Sequence, residues 1–251
     1  MKAMVLAAGL GTRLRPLTDD RPKALVEVAG RTMLEITLER LRSFGIDEVI
    51  VNAHHHAQRL VDYLAAHQNF GMRIEISHEE QLLDTGGGLK RAAEFFLRGG
   101  EDEPFLVHNV DVLSTIDLPA MARQHAASDA LATLAVKPRQ SSRQLLFDQA
   151  GLLCGRRAGD ATEWARETTD AEPLAFCGIH VISPRVFSLM DEQGAFSIVP
   201  VYLRQAAAGE PIAAYRADAS YWRDLGRVES IRQAEDDIAA GLCRLNAFLK
   251  G

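Results

Sequence analysis

The chain begins with an apolar run, residues 3–7, that passes without a polar side chain into Gly9-Leu10-Gly11. A strand apolar on both faces belongs in a parallel sheet covered by helices, and parallel strands need crossover connections of a dozen or more residues. The next 130 residues have that rhythm. Leu34, Leu38 and Leu41 recur at helical spacing, and Gly45 follows as a C-terminal cap. Residues 48–52 read as the next strand, and Leu60, Val61 and Leu64 mark the next helix. A third strand is expected over 73–77, a helix opening near Gly86–Gly88, a fourth strand over 105–109, a helix over 117–127 and a fifth strand over 130–136. The alternation predicts an α/β fold with a doubly wound, mostly parallel sheet and a ligand site at the carboxyl ends of its strands.

After residue 137 the pattern changes. Residues 145–147 and 152–154, joined through Asp148-Gln149-Ala150-Gly151, read as a β-hairpin, and 159–173 as a polar loop. A long strand is expected over 174–182, a helix start at Ser183-Pro184, and a helix–strand–helix series over 198–208, 212–215 and 227–240. No linker separates these segments. The expectation is one domain over 1–251: a core over 1–137, a small β-rich lobe over 138–216, and a closing segment with a C-terminal helix over 217–251.

Composition narrows the class. Apolar residues make up 47% and charged residues 25%, no stretch of 18 apolar residues occurs, and the start does not resemble a signal peptide. Three scattered cysteines, Cys154, Cys177 and Cys243, read as reduced thiols, so a cytoplasmic protein is expected, with no membrane partner. The net charge of −6 speaks against a nucleic-acid binder. Residues 1–25 nevertheless carry Lys2, Arg13, Arg15, Arg21 and Lys23 against Asp19 and Asp20, a local balance that can focus anions.

Glycines after a strand let the backbone approach a phosphate and offer it N–H donors, and Arg13, Arg15 and Lys23 supply positive charge. The dinucleotide fingerprint fits poorly, because its third glycine falls at Leu14 and the second strand ends in Asn52 where a carboxylate is expected. No GxxxxGK[ST] motif is present. Two further segments carry chemistry. Phe105-Leu106-Val107-His108-Asn109-Val110-Asp111 is an apolar strand ending in a carboxylate, and Trp222-Arg223-Asp224-Leu225-Gly226 places a second before a glycine and a helix. One or two carboxylates can hold a hard divalent cation, although each alone also suits a helix cap or a surface charge. Glu80-Gln81-Leu82-Leu83-Asp84-Thr85-Gly86-Gly87-Gly88 offers close backbone approach to a flat base, with Gln81 able to donate and accept at its edge; a flexible turn is the alternative.

The run Leu6-Ala7-Ala8-Gly9-Leu10-Gly11-Thr12-Arg13-Leu14-Arg15-Pro16-Leu17-Thr18 with Pro22-Lys23 resembles the signature of the sugar-phosphate nucleotidyltransferases, whose fold is Rossmann-like. The resemblance spans about residues 1–240 and implies condensation of a nucleoside triphosphate with a sugar-1-phosphate, releasing pyrophosphate, with Mg²⁺ as cofactor. It implies catalytic roles for Arg15 and Lys23, and nucleotide contacts from Leu6, Ala8, Gly9, Gly11, Thr12, Arg13, Asn52, Gln81, Thr85, Gly86 and Gly87. It implies metal ligation by Asp111 and Asp224, and sugar contacts from Asn109, from Gly178 in Phe176-Cys177-Gly178-Ile179-His180, and from Glu163. Glu163 stands in for a Glu-Lys-Pro segment that this chain lacks, and Gly178 also suits a glycine bulge in a core strand. A left-handed β-helix acetyltransferase domain, found in some members, is not expected.

Thr85-Gly86-Gly87-Gly88 and Gly194-Ala195-Phe196-Ser197 are similar to the branch containing N-acetylmuramate-1-phosphate uridylyltransferases, which favours UTP. Related glycine segments occur in mannose- and heptose-1-phosphate guanylyltransferases, and a non-catalytic nucleotide-sugar sensor is a further alternative. A monomer or small homo-oligomer is expected. His54-His55-His56 follows the second strand, where a nucleotide or sugar contact is conceivable; adjacent residues on a strand end point in different directions, which suits a zinc site poorly.

Overall fold

A computed structural model describes residues 1–98 and 103–244. The end of the expected closing segment, 245–251, lies outside the described residues. The chain divides into two compact units, one of Met1–Asp84, His108–Thr115 and Tyr221–Gly251, the other of Thr85–Val107 and Ile116–Ser220.

The first unit contains β1 (Ala3–Leu6), a hairpin of β2 (Glu27–Val28) and β3 (Arg31–Thr32), α1 (Met33–Ser43), β4 (Glu48–Ala53), α2 (Ala57–Ala66) and β5 (Arg73–His78). β1, β4 and β5 are parallel, with Ala3 opposite Val49 and Leu6 opposite Asn52. This is the expected parallel α/β core, and Met4, Val5, Val49 and Val51 have no exposed surface. α1 begins at an N-cap: the Thr32 hydroxyl accepts from the Glu35 amide at 3.1 Å. It ends at Gly45, whose φ of 76° lets the Ile46 amide reach back to the Leu41 carbonyl at 3.1 Å. Leu34, Leu38 and Leu41 are fully buried, so one face of the helix supplies core.

The helix expected at the triple glycine is α3 (Asp84–Arg91), followed by α4 (Ala93–Leu97). β6 (Phe105–Asn109) leads into Asp111, and β7 (Val112–Ser114) follows it. The second unit continues with α5 (Leu118–Ala126), β8 (Ala132–Lys137), β9 (Arg143–Phe147), β10 (Leu153–Ala158), β11 (Ala161–Trp164), β12 (Glu172–Ile182), α6 (Ile198–Ala207) and β13 (Ile212–Arg216). β12 is antiparallel to both β8 and β9, β9 and β10 form the expected hairpin, and β13 runs parallel to β8. β14 (Trp222–Asp224) and α7 (Val228–Ala239) return to the first unit.

Two expectations need correction. The segment 159–173 is not all loop: β11 pairs with β10, and Arg156 lies opposite Glu163. All four β11 residues are exposed, so no apolar alternation marks the strand. The strands β7 and β14 also went unread. They are three residues long, too short for any periodicity, yet they form an antiparallel pair.

Candidate active site

The two aspartates meet because of that short pair. Asp224 is opposite Val112, the residue after Asp111, and the Leu225 amide donates to the Asp111 carbonyl at 2.8 Å. β14 is fixed in turn by α7. Arg223 Nε donates to Asp237 Oδ2 at 3.0 Å and the Tyr221 hydroxyl donates to the same oxygen at 2.7 Å. Burial pushes the Tyr221 hydroxyl up to about 12, with the Asp237 carboxylate adding to the shift, so it remains a donor.

Gly226 marks the centre of the cluster. A Cβ there would lie 2.8 Å from Asp224 Oδ1, 2.9 Å from Arg13 Nη2 and 3.5 Å from Asp111 Oδ2. Glycine is therefore required at 226 by the packing of three charged groups around one point. Lys23 forms an ion pair with Asp111 Oδ2, and both side chains are largely buried. Two carboxylates flanked by a guanidinium and an ammonium make a donor set that suits a hard divalent cation together with phosphate oxygens. Among the described residues, no cluster of three or more His, Cys, Asp and Glu side chains could hold a metal ion.

The glycine turn frames the same charges. Gly11 has φ 63°, and a Cβ on it would meet Thr18 Cγ2 at 2.8 Å and Lys23 Cβ at 3.2 Å. The Thr18 hydroxyl donates to the Gly11 carbonyl at 2.9 Å, and the Leu14 amide does so at 2.8 Å, closing a short 3₁₀ turn over Thr12–Leu14. Fully buried Leu14 anchors that turn. The amides of Gly9, Leu10, Gly11 and Thr12 donate to no group among the described residues, a row of donors suited to phosphate oxygens.

The basic residues of this segment divide sharply. Arg13 Nη2 lies 2.9 Å, and Asp224 Oδ1 2.8 Å, from the point where a Gly226 Cβ would sit, yet Arg13 forms no ion pair among the described residues, whereas the side chain of Arg15 is 69% exposed and its Nε lies 3.5 Å from Asp19 Oδ1. Arg21 is bidentate with Asp20, at 2.9 and 3.2 Å, and this hydrogen bonding holds the Asp20 carboxyl below its ordinary range. The arginine geometrically placed at the acidic cluster is thus Arg13, and the residue implied by the resemblance, Arg15, sits on the solvent side of the turn.

Other expected residues fall into three groups. Leu6 and Ala8 flank the exit of β1, and Asn109 ends β6 two residues before Asp111, all in the first unit with the exposed Gln81. Asn52 is 3% exposed, and its amide is spent on protein groups: Oδ1 accepts from Ala7 and Ala8, and Nδ2 donates to Glu79. Glu79, a fully interior carboxylate, goes unmarked in the sequence; its one signal is an acidic residue directly after a strand in which Ile74 and Ile76 alternate with polar residues. In the second unit, the amides of Gly86 and Gly87 both donate to the Phe196 carbonyl, at 2.8 and 3.1 Å, and so are not available to a base. Thr85 accepts from the Ile198 amide at 3.0 Å. Gly178 has φ 73° where the β12–β8 register shifts between Phe176 and His180, a glycine bulge. Glu163 is held by Arg156 at 2.7 Å on the surface of β11. His54 Nδ1 lies 2.8 Å from the Glu79 carbonyl, and the His55 and His56 rings are 3.8 Å apart and tilted.

Comparisons with known proteins agree with this chemistry. The family model described as nucleotidyl transferase matches residues 2–147. An N-acetylmuramate alpha-1-phosphate uridylyltransferase of Caulobacter vibrioides is 34% identical over 246 residues, covering 94% of this chain and 96% of that protein. A mannose-1-phosphate guanyltransferase of Yarrowia lipolytica is 29% identical, over 97% of this chain but 63% of the longer relative. Among solved structures, a putative glucose-1-phosphate thymidylyltransferase of Bacillus anthracis superposes with a TM-score of 0.76 at 18% identity, covering 94% of each chain, a likeness of fold.

Proposed function

Since the chain belongs to the nucleotidyl transferase family and is a sugar-1-phosphate nucleotidyltransferase, we propose that it joins UTP to N-acetylmuramate 1-phosphate and releases pyrophosphate. The convergence of Arg13, Lys23, Asp111 and Asp224 beside four unused amides carries the reaction. UTP and the muramate sugar are favoured by the whole-chain likeness to the Caulobacter enzyme. Guanylyl transfer to mannose 1-phosphate is the second reading, supported by the Yarrowia relative.

In this reading an oxygen of the sugar phosphate attacks the α-phosphorus in line, a new P–O bond forms, and the bond to the β-phosphate oxygen breaks. Little covalent work falls to the protein, and positioning and charge stabilisation supply the rate. The amides of Gly9, Leu10, Gly11 and Thr12 receive the triphosphate. Lys23 moves its charge to the α-phosphate, and Arg13 stabilises the departing pyrophosphate, with Arg15 as an outer cation. Asp111 and Asp224 would hold Mg²⁺, which supplies Lewis-acid neutralisation of the phosphate oxygens. Gln81 and the Thr85–Gly87 segment are candidates for the base side, with any contact from Gly86 and Gly87 made other than through their amides. Asn109, Gly178 and Glu163 remain candidates for the sugar side, Glu163 requiring release from Arg156. We take residues 1–251 to act as one catalytic domain. Among the described residues no helix is long and apolar enough to cross a membrane, and we place the enzyme in the cytoplasm.

The test is pyrophosphate release from four nucleoside triphosphates against muramate-, glucose-, mannose-, N-acetylglucosamine- and heptose-type sugar 1-phosphates, with and without Mg²⁺. UTP with the muramate sugar should lead. A GTP-led profile would keep the site chemistry and replace both substrates, and silence across the panel would defeat the reading.

A further inference from the structure

Glu79 is 1% exposed, and among the described residues no cation pairs with it. A buried carboxylate is costly unless hydrogen-bonded, so its retained bonds identify what it is for. It stands immediately after β5, where its amide donates to the Ala53 carbonyl at 2.8 Å and prolongs the β4–β5 ladder. Oε1 accepts from Asn52 Nδ2 at 2.7 Å, and Oε2 accepts from the Leu83 amide at 2.9 Å. Asn52 in turn presents Oδ1 to the amides of Ala7 at 2.6 Å and Ala8 at 3.3 Å.

Both groups facing Glu79 are donors. A neutral glutamine has one acceptor and one donor end, so it can satisfy one of them at most. The carboxylate therefore fixes which way the Asn52 amide points. That orientation fixes the two peptide groups before Gly9, while the second oxygen pins the backbone two residues after Gln81.

We propose that Glu79 is a positioning residue that ties the phosphate-binding turn to the segment carrying Gln81, through Asn52 at one end and the Leu83 amide at the other. This rests on the proposed nucleotide site and adds a residue to it. A displacement of about 1 Å at a reacting centre can cost on the order of 100-fold in rate, so a hydrogen-bonded strut behind the turn has kinetic weight.

The test is an exchange of the two side-chain chemistries. Glu79→Gln opposes donors to donors, and Asn52→Asp opposes carboxylate to carboxylate. In the double variant the new carboxylate at 52 accepts from Ala7, Ala8 and the new amide at 79, whose oxygen accepts from Leu83. Each single variant should raise the KM for the nucleoside triphosphate and lower kcat, about tenfold each, and the double variant should recover most of both; coupled partners behave non-additively in this way. Calorimetric affinity for a non-hydrolysable UTP analogue should follow the same order without any sugar present. Variants that lose melting temperature but keep wild-type KM and affinity would reduce Glu79 to a structural strut, and a double variant no better than the product of the singles would overturn the coupling. If one single variant fails to fold, near-wild-type affinity in the double variant supports the proposal and lost affinity sinks it. If wild type turns over no substrate pair, the reaction assignment fails, while the affinity series still decides the role of Glu79.

Discussion

The molecule has two glycine-rich turns that look alike in sequence and are used in opposite ways, one a loop turn after β1 and the other the opening turn of helix α3. Gly9-Leu10-Gly11 leaves its amides unengaged, and the position of Gly9 has no neighbour within 4 Å of where a Cβ would sit. Gly86-Gly87-Gly88 is buried, two of its amides are consumed by the Phe196 carbonyl, and a Cβ on Gly86 would lie 2.5 Å from the Phe196 ring. Glycine serves close approach in both. In the first the space beside Gly9 is open to a ligand, although that beside Gly11 is taken by Thr18 and Lys23, and in the second the space beside Gly86 is filled by Phe196. A glycine motif alone does not distinguish binding from packing; the partner of its N–H groups does.

The sharpest way to break the comparison is through the charges beside each turn. If the first turn faces phosphate, Arg13→Ala should cost about 10²–10³ in kcat, the magnitude of losing one charge-stabilising donor at a reacting centre. Arg15→Ala should cost much less, about tenfold or below, since its guanidinium is 69% exposed and screened by water beside Asp19. Steady-state kinetics on both variants checks the order. A larger loss at Arg15 would move the working face of the turn to its solvent side.

Next in size is the packing turn. Gly86→Ala drives a methyl into the Phe196 ring and to 2.9 Å from the Phe196 carbonyl oxygen, the acceptor that holds two amides. The ring can rotate away but that carbonyl cannot move without losing both bonds. Overpacking of this kind costs about 1–3 kcal/mol, partly offset by about 1 kcal/mol from the better helix propensity of alanine. A melting temperature lowered by several degrees, with KM per folded molecule little changed, is expected. An unchanged melting temperature with a large rise in KM would make the second turn a ligand surface as well.

These differences explain what could be read from the chain. The parallel core was legible because Met4, Val5, Val49 and Val51 are apolar on both faces, and the helix 33–43 because Leu34, Leu38 and Leu41 recur at helical spacing and Gly45 is a local stop signal. The two aspartates were legible as a pair only through the family resemblance, since a three-residue strand at 222–224 decides their meeting. The different placement of Arg13 and Arg15 needed three dimensions, because Arg13 lies within a 3₁₀ turn and Arg15 leaves it in an extended conformation. Strand 161–164 and Glu79 were hidden for opposite reasons: one has no buried face, and the other is a charge where apolar residues are the rule.

The smallest expected effect on stability is also the cleanest test of the contrast. Gly9 is exposed, its φ lies outside the left-handed region, and a Cβ there meets nothing within 4 Å. Gly9→Ala should therefore fold with a stability change within about 0.5 kcal/mol. A methyl group at that point nevertheless stands between the loop amides and an approaching phosphate, which needs bare backbone. The expected result is an unchanged melting temperature with the KM for the nucleoside triphosphate raised about tenfold, equivalent to ~1.4 kcal/mol of binding. Activity measured at saturating sugar phosphate across a UTP titration separates the two quantities. If neither moves, the phosphate does not approach at Gly9 and the open side of the comparison shrinks to Gly11 and Thr12. If the melting temperature falls instead, the first turn is held by contacts like those of the second, and the difference between the two turns is one of degree.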